Sequence, residues 1–386
     1  MLRMSLAPKP RLEQAREIHR CAVVIDSHCD TTQRLMDPTF DLSQRHQSGH
    51  VDIPRLREGG VDAVFLAVFA AGPLPLGAGP PAARAQLRRI HETVRQHAEV
   101  LSLARSAADV GRAKSAGKIA VLPAIEGGYL LDDSLEVLRE FHDAGATYLT
   151  LTHAFHTHWA DSSGVHEALE PLHGGLTEFG REVVKELNRL GMMVDGSHAS
   201  DETFWEVLET SKAPVFASHS SCRAVCPHRR NLSDEMIRAI AQSGGVVQIN
   251  FAAGFVDSAF PLPDPKAMQA WLANLQVPPP KVTDHRTPLS LLVDHFDHAL
   301  QLVGPKHVGL GSDFDGVPAL PDGMQDCSML PNLTAALLDR GYDEADLVMI
   351  LGGNLLRLMD ACERARLELA GASPQPAAPA HRSDTR

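Results

Sequence analysis

The stretch Val23-Val24-Ile25-Asp26-Ser27-His28-Cys29-Asp30 runs three apolar β-formers into a polar cluster, with a histidine and an aspartate two residues apart. Along an extended chain, residues i and i+2 point to the same face. His28 and Asp30 should therefore converge from one strand end on one point. An imidazole and a carboxylate there make half a site for a divalent transition metal. A capping Asp beside a surface His in a strand-to-helix turn reads the same way locally. The rest of the chain must supply further ligands if the metal reading is right.

Outward from this first strand, Ala22–Asp26, the same pattern of apolar run and helix repeats. The further runs are Ala63–Phe69, Ile119–Ala124, Tyr148–Thr152, Met192–Asp195, Val215–Ala217, Gly245–Phe251 and His307–Leu310. Continuous apolar runs of this length suit buried parallel strands. The segments between them carry helix signals. Ala82–Leu103 places Leu87, Ile90, Val94, Ala98 and Leu101 at helical spacing. Thr177–Leu190 has a capping Thr177 and stops at Gly191. Glu344–Ala361 carries Gly352-Gly353 in mid-run, a pair able to break it in two. Ala252 to Pro288 is a long excursion with a helix near Lys266–Leu275 and a stiff Pro278-Pro279-Pro280, suited to a lid or an oligomer contact.

Eight strands alternating with helices predict an α/β fold of the (β/α)8 barrel type. An open doubly wound sheet has the same strand count, but no Gly-x-Gly-x-x-Gly follows any strand. The expected organisation is one catalytic domain over residues 1–370, with 252–288 inserted after the seventh strand. Residues 371–386, Pro/Ala/Ser-rich and then polar, are expected to be a disordered tail.

Composition narrows the function classes. An apolar fraction of 44% with 22% charged residues is that of a soluble globular chain. The net charge of −12, with no dense basic stripe, argues against nucleic acid as a partner. No window approaches ~18 uninterrupted apolar residues, so no membrane span is expected. Met1 to Arg20 has no apolar core long enough for a signal peptide. The six cysteines form no Cys-x-x-Cys pair and read as free thiols in a reducing compartment, which predicts a cytoplasmic protein.

Active sites of such barrels lie at the C-terminal strand ends. His28 and Asp30 follow the first strand, Glu126 the third, His153 the fourth, His198 the fifth, His219 the sixth and Asp313 the eighth. This set exceeds the three protein ligands of one catalytic zinc. It suits two metals about 3.5–4 Å apart sharing a carboxylate, with Glu126 the natural bridge. Cys29 points to the other face of its strand. The run Arg223…His228-Arg229-Arg230-Asn231 offers either solvated charges or a guanidinium for a substrate carboxylate. His156, His158, His166 and His173, in the loop after the fourth strand, are given no direct role.

Assembled, these residues resemble the membrane dipeptidase (renal dipeptidase, dehydropeptidase) family of zinc peptidases, in the amidohydrolase-like barrel superfamily. The matching stretches are Ile25-Asp26-Ser27-His28-Cys29-Asp30, Ala124-Ile125-Glu126-Gly127-Gly128, Leu151-Thr152-His153, Asp195-Gly196-Ser197-His198, Ala217-Ser218-His219-Ser220, Arg229-Arg230-Asn231 and Gly309-Leu310-Gly311-Ser312-Asp313-Phe314-Asp315-Gly316, with Gly352-Gly353-Asn354 near the end. The resemblance implies a metallo-dipeptidase with two Zn2+ per chain. His28 and Asp30 would bind one zinc, His198 and His219 the other, and Glu126 would bridge them. His153 would bind the substrate near its scissile carbonyl and, with a zinc, stabilise the oxyanion. Arg230 would hold the free carboxylate of a dipeptide. Asp313 would move a proton between the attacking water and the leaving amine. The family also implies small dipeptide substrates, tolerance of a D-residue at the C-terminal side, and a homodimer.

Departures from the family point to a soluble bacterial-type member: no signal peptide, no lipid anchor, no disulfide pattern. Ala252-Ala253-Gly254-Phe255 carries no tyrosine hydroxyl, which leaves the side-chain preference open. Two other readings stand beside this one, a lactonase or deaminase on the same barrel and a binding protein that has lost catalysis.

Overall fold

The apolar runs become short parallel strands wherever backbone and polar side chains find partners in the sheet. The computed structural model describes residues 10–72, 74–165, 167–274 and 279–371. Among them are β1 (Ile25–Cys29), β2 (Ala63–Val68), β3 (Leu101–Leu103), β4 (Ile119–Glu126), β5 (Tyr148–Thr150), β6 (Met193–Asp195), β7 (Val215–Phe216), β8 (Val247–Ile249) and β9 (Val308–Leu310). A seven-stranded parallel sheet has the order β1-β2-β4-β5-β6-β7, with β3 paired to β4; β8 and β9 form a second parallel pair. Single parallel bridges join Ala217 to Val247 and Cys29 to Phe314. The sheet is curled. Ser27 on β1 donates from Oγ to Ser218 O just past β7, at 2.6 Å, and is 2.8 Å from Leu310 O on β9.

Period-two alternation sorts the strand residues onto two faces. Phe65, Leu122, Tyr148, Met193 and Phe216 pack together with Leu355, Leu358 and Cys362 of the helix Asn354–Leu369. Val64, Leu66, Val121, Leu149 and Val194 pack in the larger core with residues of the intervening helices, such as Leu87 and Val183.

Four expectations change in detail. The first strand begins three residues later than expected and runs on through Asp26, Ser27 and His28 to Cys29. It continues because these polar groups are satisfied inside: Ser312 donates its N–H and Oγ–H to Asp26 at 3.0 and 2.5 Å. The helix expected over Ala82–Leu103 spans Gly79–Gln96 instead, and its last residues form β3. Leu101 is buried and pairs with Ile119, so sheet pairing wins over helical spacing there. Gly352-Gly353 does not break the last helix. It sits in a π-helical turn, Met349–Gly353, between Glu344–Val348 and Asn354–Leu369. A Cβ on Gly352 would overlap Val23 O, so the glycine lets this turn press against the start of the first strand. In the excursion, the helix is Pro265–Leu272. Leu275, Pro278, His166 and residues 372–386 lie outside the described residues.

Candidate metal centre

His28, Asp30, Glu126, His153, His198, His219 and Asp313 each lie in the last residues of a strand or within three residues of its C-terminal end, whereas Arg230 lies well past β7 in the loop that follows it. Among the described residues, three of the five non-glycine residues with positive φ are His198 (66°), Asp313 (64°) and Asp315 (67°), all on loops of this site. Side chains rarely hold that conformation unless the surroundings over-determine it. Gly316 is required in the same turn: a Cβ there would overlap Asp30 Oδ2 and crowd Asp313 Oδ1.

Four imidazoles point Nε2 at one oxygen. Glu126 Oε1 lies 3.2 Å from His198, 3.4 Å from His28, 3.5 Å from His219 and 3.8 Å from His153. His28 Nε2 is 3.6 Å from Asp30 Oδ1, and the Nε2 atoms of His198 and His219 are 2.9 Å apart. Three donor groups therefore form: His28–Glu126–His219, Glu126–His153–His198 and His28–Asp30–Asp313, each within 4.8 Å. His28 Nε2, Asp30 Oδ1 and Glu126 Oε2 are buried without a hydrogen-bond partner. Buried polar atoms are nearly always satisfied, so this cluster of orphan donors fits a divalent cation.

A further shell sets the imidazole tautomers. Tyr148 Oη–H donates to Ser27 O at 3.1 Å, so its oxygen accepts from His28 Nδ1–H at 2.7 Å. Ser218 Oγ–H donates to Asp195 at 2.6 Å and accepts from His219 Nδ1–H at 2.7 Å. Asp195 also takes hydrogen bonds from Thr150 Oγ1, Ser197 N and Ser218 N. Both chains leave Nε2 with its lone pair facing Glu126, the arrangement metal-binding histidines need.

Electrostatics agree with that assignment for His198 and His219; burial works to lower His28 too, but Tyr148 and the Glu126 charge overcome it and hold that imidazole well above its ordinary value. Burial works to raise Glu126, but His28, His153 and a hydrogen bond from His198 overcome it and hold the carboxyl well below its ordinary range. Burial, with Arg230 nearby, keeps His198 well below the usual histidine value. His219 is lowered the same way, by burial and then by His28. Burial and the Glu126 charge raise Asp30.

Asp313 is buried, its N–H bonded to His28 O at 3.1 Å and its Oδ2 accepting from Asn250 Nδ2 at 2.8 Å. His153 and Asp313 line a cavity of about 360 Å3 together with Asp30, Glu126 and His198. Arg230 is not on that lining. It is buried behind it, donating from Nη2 to His219 O at 3.1 Å and from Nη1 to Ser220 Oγ at 3.3 Å, with Nε unpartnered. Burial lowers its pKa to about 10. Arg230 and His198 share an adjoining cavity of about 10 Å3. Arg223 of the same run instead pairs with Asp201 through two 2.7 Å bonds.

The loop histidines are tied into structure: His156 to Ser162 N and Glu170 O, His158 to Asp133, His173 to Thr157 O. Sequence reasoning passed over Tyr148, Asp195, Ser218 and Asn250. Asn250 directly follows β8, but the sequence places it inside the apolar run Gly245–Phe251, so the strand-end rule that found the others did not single it out.

Residues 12–373 match the family model of membrane dipeptidase, peptidase family M19. Human Dipeptidase 3 is 35% identical over 368 residues, covering 94% of this chain and 69% of that protein. A metallo peptidase from Rhodobacter sphaeroides, solved with a phosphinate mimic of the dipeptide L-Ala-D-Ala, is 28% identical with a TM-score of 0.77, over 88% of this chain and 99% of that one. An amidohydrolase from Pseudomonas aeruginosa, 22% identical over 90% of this chain and 98% of that one, shares the fold with a TM-score of 0.72. The fold is thus α/β and amidohydrolase-like, and the donor cluster fits a metal cofactor. The chain belongs to the membrane dipeptidase family, peptidase family M19, and is a metal-dependent hydrolase of peptide bonds.

Proposed function

We propose that this protein is a binuclear zinc dipeptidase working in the mouth of a closed (β/α)8 barrel. The observation that carries this is the convergence of four Nε2 atoms on one Glu126 oxygen beside buried, unpartnered ligand atoms. The bridges Ala217–Val247 and Cys29–Phe314 supply the links by which the two sheets would form one barrel. Residues up to 370 then make one catalytic domain, with 252–288 inserted after β8.

His28 and Asp30 would hold one zinc, His198 and His219 the second, with Glu126 shared between them. A bound pair of this kind supplies an activated water and polarises the scissile carbonyl. The chain does the rest. His153, on the cavity wall, donates a hydrogen bond toward the carbonyl oxygen as negative charge develops on it. Asp313 takes the proton of the attacking water and passes it to the leaving amine. The Asn250 bond occupies one of its oxygens and leaves Oδ1 for that transfer. Arg230 binds the free carboxylate of the substrate, for which its buried Nε and forked guanidinium are suited.

The L-Ala-D-Ala mimic held by the Rhodobacter relative supports small dipeptides as substrates and a D-residue at the C-terminal position. We extend the reading to a cytoplasmic protein, for which the six cysteines outside any disulfide speak, and to a homodimer, as the family resemblance implies; no described helix is long and apolar enough to cross a membrane. Arg230→Ala should raise KM for L-Ala-D-Ala roughly 100-fold, while leaving KM for the C-terminally amidated analogue within about twofold. Equal losses on both would remove Arg230 from the carboxylate role. Turnover of lactones with none of dipeptides would replace the reading.

A further inference from the structure

We propose that residues 252–272 build a side-chain pocket that makes this enzyme prefer dipeptides whose C-terminal residue is large and apolar. The inference rests on the dipeptidase reading and extends it to substrate selection. The cavity lining is of two kinds. Asp30, Glu126, His153, His198 and Asp313 bring polar donor groups to it; Phe255, Phe260, Leu262, Met268, Leu272 and Val317 bring apolar surface. Five of those six apolar residues come from the excursion, the segment for which catalysis has no use.

These side chains stand apart from the fold's cores. Phe255 packs with Ala252 and Val317, and Met268 with Trp271 and Leu272, as two small separate clusters. Leu262 is 38% exposed and belongs to neither. Apolar surface that does not serve the core and faces a catalytic cavity is suited to a ligand. The segment is also held in place. Asp257 accepts from Thr287 Oγ1 at 3.0 Å and from Ala259 N at 2.9 Å, lies 2.6 Å from His285 Nε2, and Ala253 N donates to Ala319 O at 3.0 Å. The part of the wall around Phe255 is therefore held by the chain itself, so binding does not have to order it.

Phe255 says which substrate residue faces this wall. Its ring centroid lies 5.6 Å from the guanidinium carbon of Arg230. A residue whose carboxylate reaches Arg230 brings its own side chain beside Phe255. Apart from the buried carboxylates of the donor cluster, the charged residues on the cavity, Glu167, Asp264 and Lys266, are exposed, so they offer a charged substrate side chain only solvent-screened pairing. A buried apolar side chain gains from leaving water, whereas a charged one loses hydration there.

The test compares kcat/KM of the zinc-loaded enzyme on Ala-X and X-Ala dipeptides, with X as Gly, Leu, Phe, Glu or Lys. Ala-Leu and Ala-Phe should exceed Ala-Gly, Ala-Glu and Ala-Lys by about 10-fold or more. Leu262→Ala, at a half-exposed position, should cut the Ala-Phe to Ala-Gly ratio by about threefold, and Leu262→Ala/Met268→Ala should bring it near unity. A flat Ala-X profile, or an apolar preference confined to X-Ala, would overturn the inference while leaving the dipeptidase intact. Failure of the zinc-loaded enzyme to cleave any dipeptide would overturn both.

Discussion

Glu126 Oε1 meets four imidazoles because four different strand ends each deliver a histidine whose other nitrogen is already engaged or turned away. His28 depends most visibly on such a partner. Without the Tyr148 hydroxyl, nothing fixes its proton on Nδ1. Tyr148→Phe keeps the ring packed between Phe65 and Phe216 and removes only that oxygen. Zinc affinity should fall about 10- to 100-fold, read by competition with a chromophoric chelator, with an unchanged circular dichroism spectrum. Unchanged affinity would mean that Tyr148 serves packing alone. The candidate donors themselves were legible because polar residues stand out after apolar runs. Tyr148 was not, since an aromatic opening such a run reads as core. Arg230 stands in a run that reads equally as solvated charges or as a guanidinium for a substrate, and only the family resemblance singles it out; it is buried. Nothing local distinguishes it from Arg223, whose partner Asp201 comes from a different helix.

At the level of elements, buried histidines tie helices and loops together and make the fold acid-sensitive away from the metal site. His295, on the helix Leu289–Val303, accepts from Cys222 N at 2.9 Å and lies 3.2 Å from Val256 O. His19, on Arg11–Cys21, lies 2.7 Å from Gly59 O and 2.8 Å from Thr334 Oγ1. Burial lowers both to about 4 in the folded state, against an ordinary value of 6.5. The unfolded chain therefore binds more protons between those values. The stabilisation is complete above pH 6.5, declines as pH falls, and is gone below about pH 4. Each group should remove about 1 kcal/mol by pH 5.5, seen as a falling urea midpoint from pH 7.5 to 5. His19→Gln/His295→Gln should start lower at pH 7.5 and lose less on acidification; a slope equal to that of the parent would assign the acid limb to other groups. Element boundaries were the least legible part. Leu101 fits a helical stripe as well as a strand, and only Ile119, 18 residues later, decides between them.

For the whole molecule, repetition made the architecture readable: eight apolar runs, each followed by a turn and a helix, leave little choice but a parallel sheet with one functional edge. The curl of that sheet rests on contacts far apart in the chain, such as Ser27 with Ser218 and Leu310, which periodicity does not record. The excursion was visible as an interruption, but its facing toward the cavity was not, because that depends on tethers such as Asp257 to Thr287. The central claim is that these strand ends assemble a two-zinc peptidase. It is tested most directly by titrating zinc into chelator-treated protein and following L-Ala-D-Ala hydrolysis. The account predicts negligible activity without metal and a rise that levels off at two zinc per chain. Full hydrolysis by the metal-free protein, or a plateau at one zinc, would contradict it.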